Sequence, residues 1–405
     1  MDLEKEVTRQ MKILMSGTAE VIPEEELREK IRDSISNKKP LRVKLGIDPT
    51  SPHVHLGHMV VYGKMRQFQD LGHQAVLLIG DYTARIGDPT GRNIERPPLT
   101  KEQVRENSRT YREQIFKIVD KEKTEVYFQS SGFDSVTLQD ILTTASAFST
   151  AQMLTHETFR SRLEKGQRLS LHELFYPVLQ AWDSLLIKAD VELGGTDQKF
   201  NILCGRDLQR SHGMAPQAAL FMPILEGTDG RKMSKSFGNH IPVEASPEEM
   251  FGKIMSIGDD LIKTYFTLIL GWNDDKLKQL DERFKSENPR DIKLDLAREI
   301  VRIYHSDDAA LSSRESFLNQ FSRKKVPDDI PLYKCEDSHP LITTVLKDSG
   351  LFSSISEARR LIIQGGLKID GTPLVDPGAR LDLSEHRIPI LKAGKRKYLK
   401  VSRNT

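Results

Sequence analysis

A stretch of about 40 residues near the N-terminus limits the possible folds most. Residues 41–47 alternate apolar and polar side chains, which predicts a strand, and a Pro-containing turn follows. Residues 57–71 carry apolar side chains at helical spacing, Gly72 ends this pattern, and residues 75–80 form an apolar run typical of a strand covered on both faces. Strand, helix and strand in this order form a βαβ unit, so we predict an α/β protein with a parallel sheet.

The turn of this unit ends in the string His55-Leu56-Gly57-His58. A helix that begins here directs its N–H groups and its dipole at an anion, and imidazoles three positions apart lie on one face. Gly57 would let a base and a ribose approach the backbone closely. A phosphate-bearing ligand fits this arrangement best. A metal site that includes His53 is the less favoured alternative, because no Cys and no carboxylate pair flanks the histidines at ligand spacing.

A second basic string, Lys232-Met233-Ser234-Lys235-Ser236, lies far downstream in a loop bracketed by glycines. Lysine ammonium groups are point charges suited to a pyrophosphate leaving group, and serine hydroxyl groups add hydrogen-bond donors. A solvated basic loop is the alternative interpretation. Because both strings occur in this order in one chain, we interpret them as the two sides of an ATP site.

Two further loops follow predicted strands. Residues 87–92 contain Asp88, and residues 194–198 contain Asp197 and Gln198. A carboxylate such as Asp197 is suited to accept hydrogen bonds from ribose hydroxyl groups, and Gln198 can bind an amino-acid head group. Turn chemistry alone would also account for these residue types. Four such loops at predicted strand ends favour one shared ligand site.

A polar stripe interrupts an otherwise apolar segment. Tyr176, Gln180 and Asp183 occupy positions i, i+4 and i+7, which lie on one face of a helix. Burial of such a stripe is costly unless it meets a polar ligand, and an exposed stripe is the alternative.

The composition is that of an ordinary globular protein. The chain has 405 residues, 38% of them hydrophobic and 29% charged, and its length predicts two or three domains. No apolar run approaches the ~20 residues of a membrane span, and the charged N-terminus lacks a signal-peptide core, so a cytoplasmic location is expected. The cysteines, Cys204 and Cys335, are expected to be free thiols, and their number excludes a Cys-rich zinc site.

Composition shifts along the chain predict five segments. These are an N-terminal helical segment (1–36), a Rossmann-like doubly wound domain with a helical insertion at about 120–190 (37–240), a helical domain (241–325), a Pro-containing linker (326–340) and a small α+β domain (341–405). Residues 392–403 hold six basic residues and no acidic one, which is typical of a polyanion contact or a solvated tail.

With these strings the chain resembles class I aminoacyl-tRNA synthetases, and among them the tyrosyl enzymes of bacterial type. Residues 55–58 are similar to the HIGH motif of that family, and residues 232–236 match its KMSKS motif letter for letter. The resemblance covers almost the whole chain, including a C-terminal unit similar to the RNA-binding module of a ribosomal small-subunit protein. Asp88, Gln180 and that unit favour the tyrosyl over the tryptophanyl family.

The resemblance implies the tyrosine–tRNA ligase reaction. L-Tyrosine and ATP form tyrosyl-adenylate and pyrophosphate, and the tyrosyl group then passes to the 3′ end of tRNA(Tyr). The resemblance also implies a homodimer built through residues of about 120–190, a tRNA-binding role for the helical domain at 241–325, and Mg²⁺ that is carried with ATP. No prosthetic group or resident metal is expected.

The same resemblance assigns individual residues. The implied catalytic residues are His55, His58, Lys232 and Lys235. The implied ATP contacts are Asp48, Thr50, Gly57, Arg92, Arg96, Asp197, Ser234 and Ser236. The implied tyrosine contacts are Asp88, Tyr176, Gln180, Asp183 and Gln198. The implied tRNA contacts are Arg359, Arg360, Lys368, Lys395, Arg396 and Lys397.

The chain departs from the family pattern at two positions. Many relatives place a second tyrosine near the substrate phenol, on the first strand, where this chain has Lys44. A subset of bacterial tyrosyl enzymes shares this lysine, which leaves the second phenol contact unassigned. Val61 lacks the hydroxyl group that some relatives direct at the ribose.

Two other classes compete with this interpretation. Small nucleotidyltransferases also use a His-x-Gly-His turn, but they are usually much shorter and lack an RNA-binding unit. A non-catalytic RNA-binding paralogue would be expected to have lost residues of the two strings, and both strings are intact here.

Overall fold

The computed structural model describes residues 2–50, 52–85, 100–322, 330–383, 388–394 and 397–404, without the side chains of residues 101 and 320–322. Five predicted site residues lie outside these ranges: Asp88, Arg92, Arg96, Lys395 and Arg396. The chain divides into two compact units, Met1–Phe317 and Leu318–Thr405. Within the described ranges, each helix is too short or too polar to span a bilayer.

A six-stranded sheet forms the centre of the first unit. Its strands are β1 (Glu20–Ile22), β2 (Arg42–Ile47), β3 (Gln74–Ile79), β4 (Thr124–Phe128), β5 (Val191–Gly195) and β6 (Ala218–Met222). Their order in space is β1-β6-β5-β2-β3-β4, in which β1 is antiparallel to β6 and the other pairs are parallel. The strands β2 and β5 are therefore neighbours although they are far apart in sequence.

Helices connect and cover these strands. They are α1 (Leu3–Met15), α2 (Glu24–Asn37), α3 (Leu56–Asp70), α4 (Lys101–Ile115), α5 (Gln129–Phe133), α6 (Leu138–Ala145), α7 (Thr150–Met153), α8 (Glu157–Glu164), α9 (Leu171–Ile187) and α10 (Lys199–Ser211). Helix α3 contacts β2, β3 and β5, whereas α10 contacts β5, β6 and α9. Connections between parallel strands of one sheet are right-handed. The helices that connect strands on the β3 side of β2 and the helices that connect strands on the β6 side of β5 therefore cover opposite faces of the sheet. The doubly wound α/β fold predicted from the sequence is confirmed.

The predicted βαβ unit is present with small shifts at its ends. In β2 and β3, Val43 pairs with Ala75 and Leu45 with Leu77, and these side chains are buried. Gly72, with a φ of 92°, follows α3 and takes the left-handed conformation that glycine adopts without strain.

One strand of the sheet, β4, lies in a stretch that the sequence pattern predicts to be mostly helical. It pairs in parallel with β3 from Thr124 opposite Ala75 to Phe128 opposite Ile79. The strand has five residues between helical segments, and its stability comes from pairing at the sheet edge. A local pattern does not carry that information.

A cluster of helices follows the sheet in the first unit. It contains α11 (Pro247–Met255), α12 (Ile262–Leu268), α13 (Asp274–Ser286) and α14 (Pro289–Tyr304). The next helix, α15 (Asp307–Ser322), begins in the first unit and ends in the second. Helix α14 is central in this cluster, because it contacts α11, α12 and α13. The helical character predicted for this region is confirmed.

The second unit contains α16 (Ile342–Asp348), α17 (Ile355–Ile363), β7 (Leu332–Cys335), β8 (Leu367–Ile369), β9 (Thr372–Leu374), β10 (Ile390–Ala393) and β11 (Lys397–Arg403). Its sheet has the order β7-β11-β10-β8-β9. Side chains from both helices and from the sheet form one core, so the small α+β unit predicted from the sequence is confirmed. Strand β7 lies within residues 326–340, for which we predict a linker. Pro331 and Pro340 flank the strand and do not interrupt it, because an edge strand tolerates proline at its ends.

Candidate active site

Asp48 and Asp197, two of the described site residues of the first unit, lie near the carboxyl ends of β2 and β5. From β2 the sheet continues through β3 and β4 on one side and through β5 and β6 on the other. Ligands of open α/β sheets bind in the crevice at this reversal. Asp48 follows β2, and the turn Thr196–Gln198 follows β5. The fold therefore places both predicted loops at the position where this architecture binds ligands.

The two histidines of the first string stack on each other at the start of α3. Their ring centroids are 3.8 Å apart, and the backbone N–H of His55 donates to Nδ1 of His58 at 3.2 Å. Burial, followed by the charges of neighbouring histidine and lysine side chains, lowers the pKa of His55 to about 2. Partial desolvation and the charges of Lys235 and Lys232 lower the pKa of His58, a more exposed residue, to about 4. Both rings are therefore neutral at pH 7. Because Nδ1 of His58 accepts, its proton resides on Nε2 and is available to a ligand.

Backbone hydrogen bonds join the histidine string to the segment that follows the lysine string. The N–H of Leu56 donates to the carbonyl of Ile241 at 3.0 Å, and the N–H of Val243 donates to that of Val54 at 3.0 Å. The two strings, distant in sequence, are thus neighbours in the fold, as the interpretation of a two-sided site requires.

Met233 links the two strings directly. Its side chain is buried, and its Sδ atom lies 3.2 Å from the backbone nitrogen of Gly57. A Cβ atom on residue 57 would lie 3.0 Å from Nδ1 of His55 and 3.5 Å from the Cβ atom of Met233. Any larger residue at position 57 would therefore displace the histidine ring.

Asn239 holds the lysine loop in shape. Its Nδ2 donates to Oδ1 of Asp229 at 2.7 Å and to the carbonyl groups of Arg231 and Lys232 at 3.2 and 3.1 Å. Its Oδ1 accepts from the N–H of Ser234 at 2.8 Å. The residue is buried, so the loop is organised around an internal amide and not around solvent.

The charged groups of the lysine loop lie near the turn after β5. Lys232 Nζ donates to Asp197 Oδ2 at 2.9 Å. Lys235 begins the 3-10 turn Lys235–Phe237, and desolvation lowers the pKa of its ammonium group. The N–H of Ser236 donates to Oγ of Ser234 at 3.3 Å. The predicted phosphate-binding and ribose-binding groups thus lie on one side of the crevice.

The predicted polar stripe lies on α9, and two of its residues are buried. Tyr176 and Asp183 are 6% and 1% exposed, which excludes the surface alternative. The hydroxyl of Tyr176 donates to Oδ2 of Asp48 at 3.1 Å, and that of Thr83 donates to Oδ1 of the same carboxylate at 2.7 Å. Asp48 therefore contacts the stripe as well as the end of β3.

One buried oxygen of Asp183 has no hydrogen-bond partner in the part of the chain that the structure describes. Gln129 Nε2 donates to its Oδ2 at 2.9 Å. Among the described residues, no group makes a hydrogen bond to Oδ1. Burial raises the pKa of Asp183 well above its ordinary value, and the charge of Lys44 opposes this rise. Buried polar atoms are normally satisfied, so this oxygen is suited to a ligand hydroxyl.

Lys44 replaces an expected hydroxyl group with a fully buried ammonium group. Its Nζ lies 3.0 Å from Oε1 of Glu192, 2.9 Å from Oγ of Ser184 and 3.1 Å from the carbonyl of Gln180. Lys44 and Glu192 are register partners on the adjacent strands β2 and β5. An ion pair therefore lies directly beside the polar stripe.

The remaining predicted residues of this side have protein partners of their own. The amide of Gln180 donates to Oε1 of Glu192 at 3.3 Å, and Oε1 of Gln198 accepts from the amide of Asn201 at 3.1 Å. The backbone N–H of Thr50 donates to the carbonyl of Asp48 at 2.7 Å.

The described part of the predicted RNA-binding set is exposed on the second unit. Its members are Arg359, Arg360, Lys368 and Lys397. Lys368 pairs in register with Lys392 across β8 and β10, and Nζ of Lys392 lies 5.1 Å from the ring centroid of Tyr398. Two cations and an aromatic ring on neighbouring strands are suited to phosphates and stacked bases.

Sequence reasoning misses several residues that organise the site. They are Gln129, Ser184, Glu192, Asn239 and His240, whose ring meets that of His55 edge-on at a centroid distance of 6.1 Å. A signal exists for Glu192 alone, because a carboxylate inside a short apolar strand needs a partner. The amides carry no such signal.

Comparisons with known proteins show the family of the chain. Residues 36–322 match the family described as tRNA synthetases class I (W and Y), and residues 342–387 match the S4 domain. Tyrosine–tRNA ligases with high similarity include those of Moorella thermoacetica (46% identical, covering 98% of this chain and 97% of that protein) and Carboxydothermus hydrogenoformans (47% identical, covering 98% of each). The chain therefore belongs to the tyrosine–tRNA ligase family of class I aminoacyl-tRNA synthetases. The resemblance stated from the two strings is confirmed.

Solved structures show the same fold for the first unit. A C-terminally truncated mitochondrial tyrosyl-tRNA synthetase of Coccidioides posadasii covers 78% of this chain and 95% of its own, with a TM-score of 0.63 and 21% identity. A tyrosyl-tRNA synthetase of Archaeoglobus fulgidus complexed with L-tyrosine covers 76% of this chain and 99% of its own, with a TM-score of 0.62 and 24% identity.

Proposed function

We propose that the crevice at the ends of β2 and β5 carries out both steps of tyrosine–tRNA ligation. The tyrosine carboxylate attacks the α-phosphate of ATP, and pyrophosphate leaves. The tyrosyl group then passes from the adenylate to the 3′ end of tRNA(Tyr). The observation that carries the proposal is the contact of Met233 in the lysine string with Gly57 in the histidine string. The polar stripe of α9 in turn reaches Asp48, at the end of β2, through Tyr176.

The ATP side of this proposal uses neutral donors and positive charges in separate roles. His55 and His58 contact the phosphates in the early part of the reaction as neutral imidazoles, because desolvation and the neighbouring lysine charges keep their pKa values low. Lys232 and Lys235 stabilise the charge that develops on the pyrophosphate. The attacking carboxylate is already ionised, so alignment and electrostatic stabilisation supply the catalysis without a general base.

The remaining ATP contacts surround these groups. Asp197 accepts from the ribose hydroxyl groups, and Gly57 leaves room for the nucleoside. Supporting contacts come from Asp48, Thr50, Ser234 and Ser236, with Arg92 and Arg96 from outside the described residues. Among the residues that the structure describes, no three His, Cys, Asp or Glu side chains converge as metal ligands. In this proposal Mg²⁺ would enter with the phosphates of ATP and offset their negative charge.

The tyrosine side of the proposal rests on Asp183. Its Oδ1, which has no partner among the described residues, accepts from the substrate phenol. Around the amino-acid head group lie Tyr176, Gln180 and Gln198, together with Asp88 from outside the described residues. Phenylalanine lacks the hydroxyl and would leave the buried carboxylate unpaired. This enzyme family is itself the standard example of such discrimination.

The second unit and the helical insertion suggest partners. The exposed basic residues of the second unit support binding of tRNA phosphates. In the insertion, Leu138, Leu142 and Leu171 are 71%, 55% and 72% exposed. Apolar side chains exposed to this extent support association with a second copy of the chain. A homodimer in the cytoplasm is therefore part of the proposal.

Exchange of labelled pyrophosphate into ATP, measured with each of the twenty amino acids, tests the proposed reaction. We expect exchange to depend on tyrosine and not on tryptophan or phenylalanine. Exchange with tryptophan alone would overturn the substrate assignment. Exchange without any transfer to tRNA(Tyr) would overturn the second step.

A further inference from the structure

The ion pair of Lys44 and Glu192 has no task in the reaction as proposed. Its side chains are 0% and 2% exposed, and Nζ lies 3.0 Å from Oε1. Removing charges from water costs several kcal/mol for each ion, and apolar residues of similar volume often replace such a pair without loss of stability. Packing alone does not account for two charges at this position.

Lys44 fixes one turn of α9. Besides Glu192, its Nζ donates to Oγ of Ser184 at 2.9 Å and to the carbonyl of Gln180 at 3.1 Å. Gln180 and Ser184 are one helical turn apart, and Asp183 lies between them in the same helix. The ammonium group therefore holds the turn that carries the carboxylate of the phenol site.

Glu192 in turn is held by the protein on both of its oxygens. Its Oε2 accepts from Oγ of Ser184 at 3.0 Å and from the amide of Gln217. Its Oε1 accepts from the amide of Gln180 at 3.3 Å. Because Lys44 and Glu192 are also register partners on adjacent strands, the sheet itself fixes the pair.

We propose that Lys44, held by Glu192, is a positioning residue of the phenol site that determines selectivity for tyrosine: it fixes the turn that carries Asp183 and places a positive charge near that carboxylate. The inference rests on the proposed function, because it takes Asp183 as the acceptor of the substrate hydroxyl. Gln129 occupies Oδ2 of Asp183, so among the described groups Oδ1 alone is left for the ligand. Lys44 influences substrate binding through this oxygen, whereas many relatives have a tyrosine hydroxyl at this position as a second contact to the substrate phenol.

Several titratable groups face Asp183 from the neighbouring strands: Lys44, Asp48, Tyr127 and Glu192. Burial raises the pKa of Asp183 well above its ordinary value, the Lys44 charge opposes the rise, and Glu192 adds to it. An ionised carboxylate accepts a hydroxyl hydrogen bond about twice as strongly as a neutral acceptor. Tyrosine affinity should therefore fall when acidification protonates Asp183.

The pH dependence of tyrosine binding tests the inference. In Lys44→Met, Asp183 loses a neighbouring cation, its pKa rises, and the loss of affinity moves to higher pH. In Glu192→Gln, Asp183 loses a neighbouring anion, its pKa falls, and the loss moves to lower pH. The midpoint of this loss is the pH at which half of the Asp183 carboxylates are protonated. At a fixed pH below the midpoint, Kd for L-tyrosine changes about tenfold when the midpoint moves by about one on the pH scale. Calorimetric titrations between about pH 5 and about pH 9 measure both displacements of the midpoint.

Two further variants separate this effect from a folding defect. Lys44→Met combined with Glu192→Gln leaves neither charge of the pair unpaired. Its midpoint should lie above that of the unaltered protein, because Lys44 contributes more than Glu192. As a control, Lys64→Met removes another buried lysine, whose Nζ binds the carbonyl groups of Leu14 and Ser16 at 2.9 and 2.8 Å. It should lower stability and leave the midpoint in place.

The outcomes are distinct. Midpoints that move in opposite directions in the two single variants support the inference; midpoints that move in the same direction, or stay in place while tyrosine still binds, overturn it. If the single variants do not fold, an unmoved midpoint in the double variant overturns it. Failure of the proposed function has another signature, because the unaltered protein would then show no tyrosine-dependent exchange of pyrophosphate into ATP. Phenylalanine, which lacks the hydroxyl, should show a much smaller change in Kd in every variant.

Discussion

The Nζ atom of Lys232 lies 2.9 Å from Oδ2 of Asp197, so the lysine proposed for the leaving group contacts the carboxylate proposed for the ribose. The two side chains are 51% and 33% exposed, and an exposed pair of this kind contributes only about 0.2–1 kcal/mol. A bound ribose that takes over Asp197 would release the lysine toward the phosphates.

Substitution of Lys232 by glutamine should separate nucleoside binding from phosphate chemistry. Adenosine affinity should stay unchanged or rise up to about fivefold, because Asp197 loses a competing partner worth at most about 1 kcal/mol. Exchange of pyrophosphate into ATP should fall about 10²- to 10³-fold, the usual loss for a group that stabilises developing charge. Equilibrium dialysis with adenosine and the exchange assay measure the two effects. Weaker adenosine binding would contradict the competition between lysine and ribose.

Substitution of Asn239 by alanine should disorganise the lysine loop. The part-buried N–H of Ser234 and the carbonyl groups of Arg231 and Lys232 lose the amide that joins them, and a buried group left without a partner costs about 1–3 kcal/mol. We expect the rate of exchange to fall while Kd for tyrosine, measured by calorimetry, stays constant.

A matched control is Asn273→Ala. The side chain of Asn273 caps α13 by accepting from the N–H of Lys276 at 3.1 Å, and loss of such a cap costs about 1 kcal/mol. This variant should be destabilised without any loss of exchange. If both asparagine variants lost exchange equally, general destabilisation and not loop shape would be the cause.

Substitution of Asp183 by asparagine should impair the selection of tyrosine more than the binding of ATP. The amide retains the shape of the carboxylate but loses the charge that accepts the phenol. The ratio of kcat/KM for tyrosine to that for phenylalanine, measured by exchange, should fall, while Kd for ATP should change little. Equal losses for both substrates would place the phenol site elsewhere.

Acidification should destabilise the protein through the stacked histidines. Their pKa values are lowered from the ordinary value near 6.5 to about 2 for His55 and about 4 for His58. Below that ordinary value the unfolded chain binds protons that the folded protein excludes, so stability is complete above it and is lost as pH falls toward the folded values. The slope is at most about 1.4 kcal/mol per pH unit for the buried His55, and the more exposed His58 contributes less because solvent screens its charge.

Urea unfolding at about pH 5.5 and about pH 7.5 measures this loss. In His55→Asn the pH dependence should become smaller. The control His172→Gln replaces an exposed histidine and should keep the dependence of the unaltered protein. An identical dependence in His55→Asn would rule out this histidine as the source.

Substitution of Arg360 and Lys368 by glutamine should weaken transfer to tRNA and spare activation. Each lost phosphate contact lowers the slope of log affinity against log salt by about 0.7–0.9. The KM for tRNA(Tyr) should rise, while exchange stays constant. As a control, the exposed residues Lys5 and Lys39 of the first unit are replaced in the same way. A rise in KM in the control alone would place the RNA contact on the first unit.

The parts of the fold that follow a local pattern could be predicted from the sequence. The unit of β2, α3 and β3 has the expected periodicities, and the stripe of α9 has helical spacing. Strand β4 could not be predicted, because its pairing with β3 is not visible in its five residues. For the same reason the sequence predicts a linker at residues 326–340, where the structure has the strand β7 paired with β11.

The residues of the site also fall into a group that a local sequence pattern reveals and a group that depends on distant contacts. Residues whose chemistry is set by their own type, such as His55 and Lys232, are recognisable in the sequence. The partnership of Lys44 with Glu192 depends on the adjacency of β2 and β5, which are separated by the whole helical insertion. Gln129 contacts Asp183 through a similarly distant fold contact, so its amide carries no local signal.

The backbone pairing of residues 54–56 with residues 241–243 also bears on the order in which the protein matures. Contacts between distant segments form late, because a long loop must close before they stabilise the structure. During synthesis the ribosome must release the chain beyond Val243 before the N-terminal histidines gain their backbone partner. A nascent chain that stops short of this point would carry the histidines without the segment that positions them for nucleotide binding.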